Sequence, residues 1–215
     1  MVEPQLNEIE VRVLGALVEK SVTTPDNYPL SLNALVNACN QKSNRYPVME
    51  LDSATVGQAL ASLREKALTR IVMGGDSRVP KYQHYFEESY HLTQAEAAIL
   101  CELMLRGPQT VGELRGHVER FNVSLSLPEA EGVMHGLLTR PEPLVMQLPR
   151  AAGRRDVRFA HLLAGEPSVE EEAEPAAPRL PRDERLANLE EEVASLRGEL
   201  DELREEFAVF KRQFE

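Results

Sequence analysis

Two stretches of this chain carry one pattern. Leu6–Leu17 (LNEIEVRVLGAL) and Leu92–Leu103 (LTQAEAAILCEL) share their apolar spacing and place a glutamate at the same point, Glu10 and Glu96. Each stretch repeats its apolar residues at helical spacing. Each is followed by a second helical stretch, a third, and then two short strand-like runs around a turn. A chain that writes such a unit twice folds as two similar bodies.

The first helix is predicted from about Asn7 to Lys20, with Ile9, Val13, Ala16 and Leu17 on one side. Thr24-Pro25-Asp26-Asn27 and Tyr28-Pro29 mark a loop. Ser31 can cap a second helix carrying Leu32, Leu35, Val36 and Cys39, and Asp52 or Ser53 a third carrying Val56, Ala59, Leu60 and Leu63. Between them, Asn40–Met49 is polar and reads as an extended connector. Ile71–Met73 and Val79–Tyr85 read as strands around Gly74-Gly75-Asp76-Ser77. The second unit follows the same plan. Thr93 caps a helix that ends at Arg106 before Gly107-Pro108, and Thr110 caps the next. Leu127–Thr139 forms the third helix, and Val145–Leu148 and Val157–His161 flank Gly153-Arg154-Arg155.

Helix, helix, helix and hairpin is the order of a winged helix-turn-helix. The fold expected is mainly α with small β-hairpins (α+β): tandem winged helix-turn-helix domains over residues 1–91 and 92–165. An acidic, proline-rich linker over 166–182 and a coiled-coil helix over 183–215 complete the chain. In that last segment Leu186, Val193, Leu200, Phe207 and Phe214 alternate with Leu189, Leu196, Leu203 and Phe210 in an unbroken 3-4 rhythm. Beside this seam, Arg185/Glu190, Glu192/Arg197, Glu199/Arg204 and Glu206/Lys211 are all opposite in sign, as a parallel dimer requires. The alternative is a helix that stays single or packs on its own body.

Charge is distributed unevenly. The formal net charge is −11, made of −2 over residues 1–91, zero over 92–164 and −9 over 165–215. The acidity belongs to the tail, and attraction to phosphate depends on local patches in the near-neutral body. Two cysteines, Cys39 and Cys101, sit among apolar residues far from any other metal-ligand pattern, as buried free thiols do. The N-terminus lacks the basic and apolar regions of a signal peptide, and no apolar run approaches the ~18 residues of a membrane span. A cytoplasmic protein without membrane contact is expected.

The motifs at Val22–Ser31, Asn40–Met49, Ser77–Tyr82, Arg106–Arg115 and Pro149–Glu166 resemble those of the YceH family of bacterial proteins of uncharacterised function. The resemblance covers about residues 5–166, departs at Tyr46 and Tyr85, and implies a tandem winged-helix fold without implying an activity.

Candidate DNA-binding residues follow from the expected fold. The connector offers Lys42, Asn44 and Arg45 to phosphates or base edges, or holds its own loop through Asn40 and Asn44. The third helix of a winged helix enters the major groove, where Gln pairs with adenine and Arg with guanine. Here it presents Thr55, Gln58, Ser62, Arg64 and Lys66. Its counterpart in the second unit presents Glu129, Glu131 and His135, of which the two acids repel phosphate. The first wing carries Arg78, Lys81 and His84; the second carries Arg150, Arg154, Arg155 and Arg158. Both wings read either as phosphate clamps or as solvated turns.

No HExxH, phosphate loop or nucleophile elbow is present, so neither catalysis, metal nor cofactor is expected. The leading expectation is a dimeric, regulatory protein bound to double-stranded DNA. The alternative is a protein–protein adaptor of the kind seen in the chromosome-segregation protein ScpB, similar only in this architecture. The near-neutral body and acidic tail suit that alternative.

Overall fold

The computed structural model describes residues 5–73, 79–149 and 157–167. The centres of both wings, including Arg78, Arg150, Arg154 and Arg155, lie outside the described residues, as do the linker from residue 168 on and the heptad segment from Leu186 to Phe214. The first half runs α1 (Glu8–Thr23), β1 (Leu30–Ser31), α2 (Leu32–Cys39), α3 (Ser53–Glu65), β2 (Thr69–Val72) and β3 (Lys81–His84). A short helix, α4 (Phe86–Tyr90), leads into the second half: α5 (Gln94–Arg106), α6 (Val111–His117), α7 (Leu127–Leu138), β4 (Val145–Gln147) and β5 (Phe159–His161). The fold is mixed, helical for the most part, with small antiparallel sheets.

The sheets repeat one topology. In the first half β3 lies between β1 and β2, with Ser31 opposite Lys81 and Ile71 opposite Tyr82. In the second, β5 pairs with β4, and Gln109 stands where β1 would be. Gln109 exchanges two backbone hydrogen bonds with Phe159, at 3.0 and 2.8 Å. The sequence reading missed β1 because two residues are too few for any period, and α4 because it was absorbed into the preceding strand and junction. Phe86 and Tyr90 bury α4 through an edge-to-face ring contact.

Each half opens with the same cap. Asn7 and Glu10 form a reciprocal capping box at α1, as do Thr93 and Glu96 at α5. This explains the matched glutamates. Each is also met by a cation just past the third helix of its own half. Lys66 Nζ lies 2.6 Å from Glu10, and Arg140 Nη1 lies 3.8 Å from Glu96.

The core does not divide at residue 91. Both halves lie in one compact unit, Met1–Pro167, and share a continuous cluster of buried side chains. The middle of both helices, Glu10–Glu19 of α1 and Ala97–Leu105 of α5, is buried without a break, because the two first helices pack on each other as well as on their own halves. Gly15 permits the approach: a Cβ there would stand 2.9 Å from Leu105 Cδ2, and Cys101 Sγ donates to the Gly15 carbonyl.

A buried ionic network spans the same contact. The Glu19 carboxylate of α1 binds Arg45 of the connector and Arg120, each with an oxygen at 2.5 Å. Arg120 continues to Glu102 of α5 at 2.6 Å, and Arg106 Nε lies 2.9 Å from the other Glu102 oxygen. Arg45 and both carboxylates are no more than 2% exposed as side chains. Burial pushes Glu19 up, but the Arg45 hydrogen bond and the charges of Arg45 and Arg120 outweigh it, leaving Glu19 below its ordinary value. For Glu102 burial outweighs Arg120 and Arg106, and the shift is upward.

The same arginine fixes the connector. Arg45 donates to the Ala38 carbonyl at 2.8 Å. Arg12, 1% exposed, donates to the carbonyls of Cys39 and Pro47. Asn40 closes the loop by exchanging two 2.8 Å hydrogen bonds with the Leu51 backbone. From the second half, the Leu105 carbonyl accepts from the Tyr46 amide at 2.8 Å, and Arg106 donates to Asn44 Oδ1.

Two outcomes are expected. Glu19→Gln leaves two arginines without their buried anion and destabilises the fold by about 3–5 kcal/mol in urea denaturation. A lowered folded pKa stabilises above the unfolded value and is lost as pH falls through the folded one. The variant therefore loses part of the wild type's acid-side decline in stability, which a urea series at stepped pH reads directly. Asn40→Ala strands the Leu51 N–H and C=O, costs about 1–3 kcal/mol, and raises hydrogen exchange at the Leu51 amide; unchanged exchange would contradict the anchoring role.

Candidate nucleic-acid interface

The outward side of α3 is made of small and polar residues. Ser53, Ala54, Gln58, Ala61, Arg64 and Glu65 are exposed, while Val56, Ala59, Leu60 and Leu63 are buried beneath them. Asp52 caps the helix, its side chain accepting from the Thr55 amide at 2.7 Å. Thr55 and Ser62, expected to face outward, are only half-exposed. Among the described residues, Lys42, Arg64 and Lys81 have no ion-pair partner.

Several sequence-predicted positions are engaged within the fold. Arg45 is 5% exposed and committed to Glu19, because a buried carboxylate demands a partner more strongly than a surface phosphate can compete for one. Lys66 is held by Glu10, which needs the cation to offset its own burial. His84 is 8% exposed; its Nδ1 lies 3.1 Å from Glu87 and its Nε2 lies 3.0 Å from Ser21 Oγ. Asn44 is exposed, yet its oxygen is occupied by Arg106. Arg158 is half-exposed and donates to the Pro108 carbonyl. What remains of the predicted set within the described residues is Lys42, Gln58, Arg64 and Lys81.

The third helix of the second half differs in chemistry. On α7, Leu127, Glu129, Glu131 and His135 are exposed. Glu129 belongs to the cap, with Ser126 as its partner, and the hydrogen bonds from Ser126 hold it below its ordinary pKa. Two anionic side chains and a 45% exposed leucine make this face unsuited to a phosphate backbone.

Tyr85 lies beneath the Arg70 guanidinium, 4.7 Å from the ring centre, and Tyr46 is 45% exposed on the connector. Burial pushes Cys39 up to about 12 and raises Cys101 as well, which favours the thiol over the thiolate. Among the described residues no group of three His, Cys, Asp or Glu stands close enough to hold a metal ion, and no helix is long and apolar enough to cross a membrane.

Comparison with known proteins agrees over most of the chain. The family described as "Protein of unknown function, DUF480" matches residues 6–154. A UPF0502 protein of Geotalea daltonii is 54% identical over 215 residues, covering 98% of each chain. One from Pelobacter propionicus is 49% identical over 218 residues, again 98% of each, and one from Opitutus terrae is 53% identical over 195 residues, 90% of this chain and 84% of the relative. With a family match over more than half its length and relatives this similar from end to end, the chain belongs to the DUF480 (UPF0502) family.

Proposed function

We propose that this chain is a YceH-type tandem winged-helix protein that binds double-stranded DNA as a dimer. The observation that carries the reading is the repeated topology. Each half orders its elements as helix, short strand or bridge, two helices and a hairpin, with the returning strand in the middle of the sheet. That order supports treating α3 and α7 as the third helices of winged helices, the elements such modules place in the major groove. Of the two, α3 suits DNA. Its exposed side is small enough to approach base edges, and Gln58 and Arg64 carry the side chains that read adenine and guanine. The hairpin base adds Lys81, and the connector adds Lys42.

Dimerisation rests on the heptads from Leu186 to Phe214 and their complementary flanking charges. Two copies held in parallel present two α3 helices, which suits a two-fold symmetric DNA site. A second reading, a protein-docking adaptor, is favoured by α7. There the exposed Leu127 beside Glu129 and Glu131 fits a basic, partly apolar protein surface better than a phosphate backbone.

Two experiments test the proposal. In fluorescence polarisation against pooled fragments of bacterial genomic DNA, the wild type binds saturably and weakens as salt rises. Arg64→Gln weakens it by about 1–3 kcal/mol if the guanidinium reads a guanine, and the loss is selective for sequence. No binding even at low salt would overturn the DNA reading and leave the adaptor. In sedimentation equilibrium the full chain runs as a dimer, and Leu200→Asp, which places a charge in the seam, runs at half that mass. A wild type already monomeric at micromolar concentration would remove the two-fold arrangement.

A further inference from the structure

A surface groove of about 440 Å³ lies where the end of α1, β1, α2 and β3 meet. The polar side chains that line it include Lys20, Asn27, Ser31, Asn37, Gln41 and Lys81. None of its lining residues is acidic. The fold makes this composition from segments distant in sequence. Strand pairing sets Lys81 opposite Ser31, the residue that caps α2. Lys20 arrives from the last turn of α1. Its amine lies 3.5 Å from Glu19, a carboxylate it shares with Arg45 and Arg120, so three cations surround one anion there. Lys81 has no ion pair among the described residues.

We infer that this groove receives a phosphate of the DNA backbone, an inference that rests on the DNA reading above. Two ammonium groups and three side-chain amides line the groove, and the carboxylate beside Lys20, Glu19, is shared with Arg45 and Arg120; this is donor chemistry matched to a doubly accepting phosphodiester. The helix that would enter the major groove is α3, and contacts of this kind set register on the duplex instead of reading sequence. The groove therefore supplies the sequence-independent part of the affinity.

The test uses the full chain and the same pooled genomic fragments across a salt series. Lys20→Gln/Lys81→Gln is expected to lower the log–log salt slope by about 0.9 for each phosphate no longer neutralised, weakening all fragments alike. Asn37→Glu, at an exposed helical position that accepts glutamate without loss of helix, is expected to do the same by placing an anion in the groove. Arg115→Gln, exposed on α6, leaves the slope unchanged. Thermal melts of each variant establish that the fold is intact. If the wild type binds DNA and both groove variants keep its slope, the groove assignment is overturned while the DNA reading stands. If the wild type binds no DNA at any salt, the DNA reading falls and takes the assignment with it. An amide-shift titration with inorganic phosphate separates the remaining source. Shifts at Asn37 and Gln41 with phosphate, together with none on adding duplex, would overturn DNA as the occupant in favour of a small phosphorylated ligand.

Discussion

The bonds between Glu19, Arg45, Arg120 and Glu102 hold together what the rest of the body depends on. They lie beside the α1–α5 contact, where two opening helices of a repeat face each other. Burying Glu19, Arg45 and Glu102 is costly unless each finds a partner of opposite sign in good geometry. The two glutamates come from α1 and α5 and the two arginines from the loops around them, so the network closes only when both halves are in place. An apolar contact tolerates sliding by a side chain; a buried ion pair at 2.5 Å does not. The relative setting of the halves is thus fixed by electrostatics and only filled by packing.

A consequence reaches the surface. The connector between α2 and α3 spans Asn40 to Asp52, long for a segment that must hold a helix in place. Left to itself a loop of that length would cost conformational entropy and leave α3 free to drift. Arg45 and Arg12 tie its carbonyls from inside, Asn40 pins its far end at Leu51, and α5 receives Tyr46 and Arg106 meets Asn44 from the second half. The second half thereby acts as a brace for the first. Its own third helix, with Glu129 and Glu131 outward, is then under no requirement to resemble α3.

Much of the fold was legible because local signals agreed with it. The caps at Ser31, Asp52, Thr93 and Thr110 lie where side-chain chemistry placed them, and α1, α5 and α7 end within a few residues of their expected boundaries. The repeated glutamate was visible but not its purpose, since a capping box is local while its cation arrives from 44 or 56 residues away. Lys66 illustrates the limit. On a helical wheel it is an outward cation suited to phosphate; in the fold it is the partner of Glu10. Arg45 fails in the same way and for a stronger reason, because nothing within a polar decapeptide reveals that one arginine turns inward to a glutamate 26 residues earlier. Lys20 and Asn37 were overlooked for the opposite reason: periodicity counted them as ordinary surface, and only the packing of α1 on α2 brings them to one groove.

The two halves keep their shared device and differ in what it carries. Both retain the capping glutamate and the cation past the third helix, Lys66 in one and Arg140 in the other, as well as the returning strand in the centre of the sheet. These are the features on which each unit's geometry rests. The outward faces of α3 and α7 bear none of that load, and there the sequences part: small residues with Gln58 and Arg64 on one, Leu127 with Glu129 and Glu131 on the other. Separation of this kind is what a repeat protein gains from a rigid junction. With the halves locked through α1 and α5, the outward faces of α3 and α7 can differ in charge and size without disturbing the core that both share.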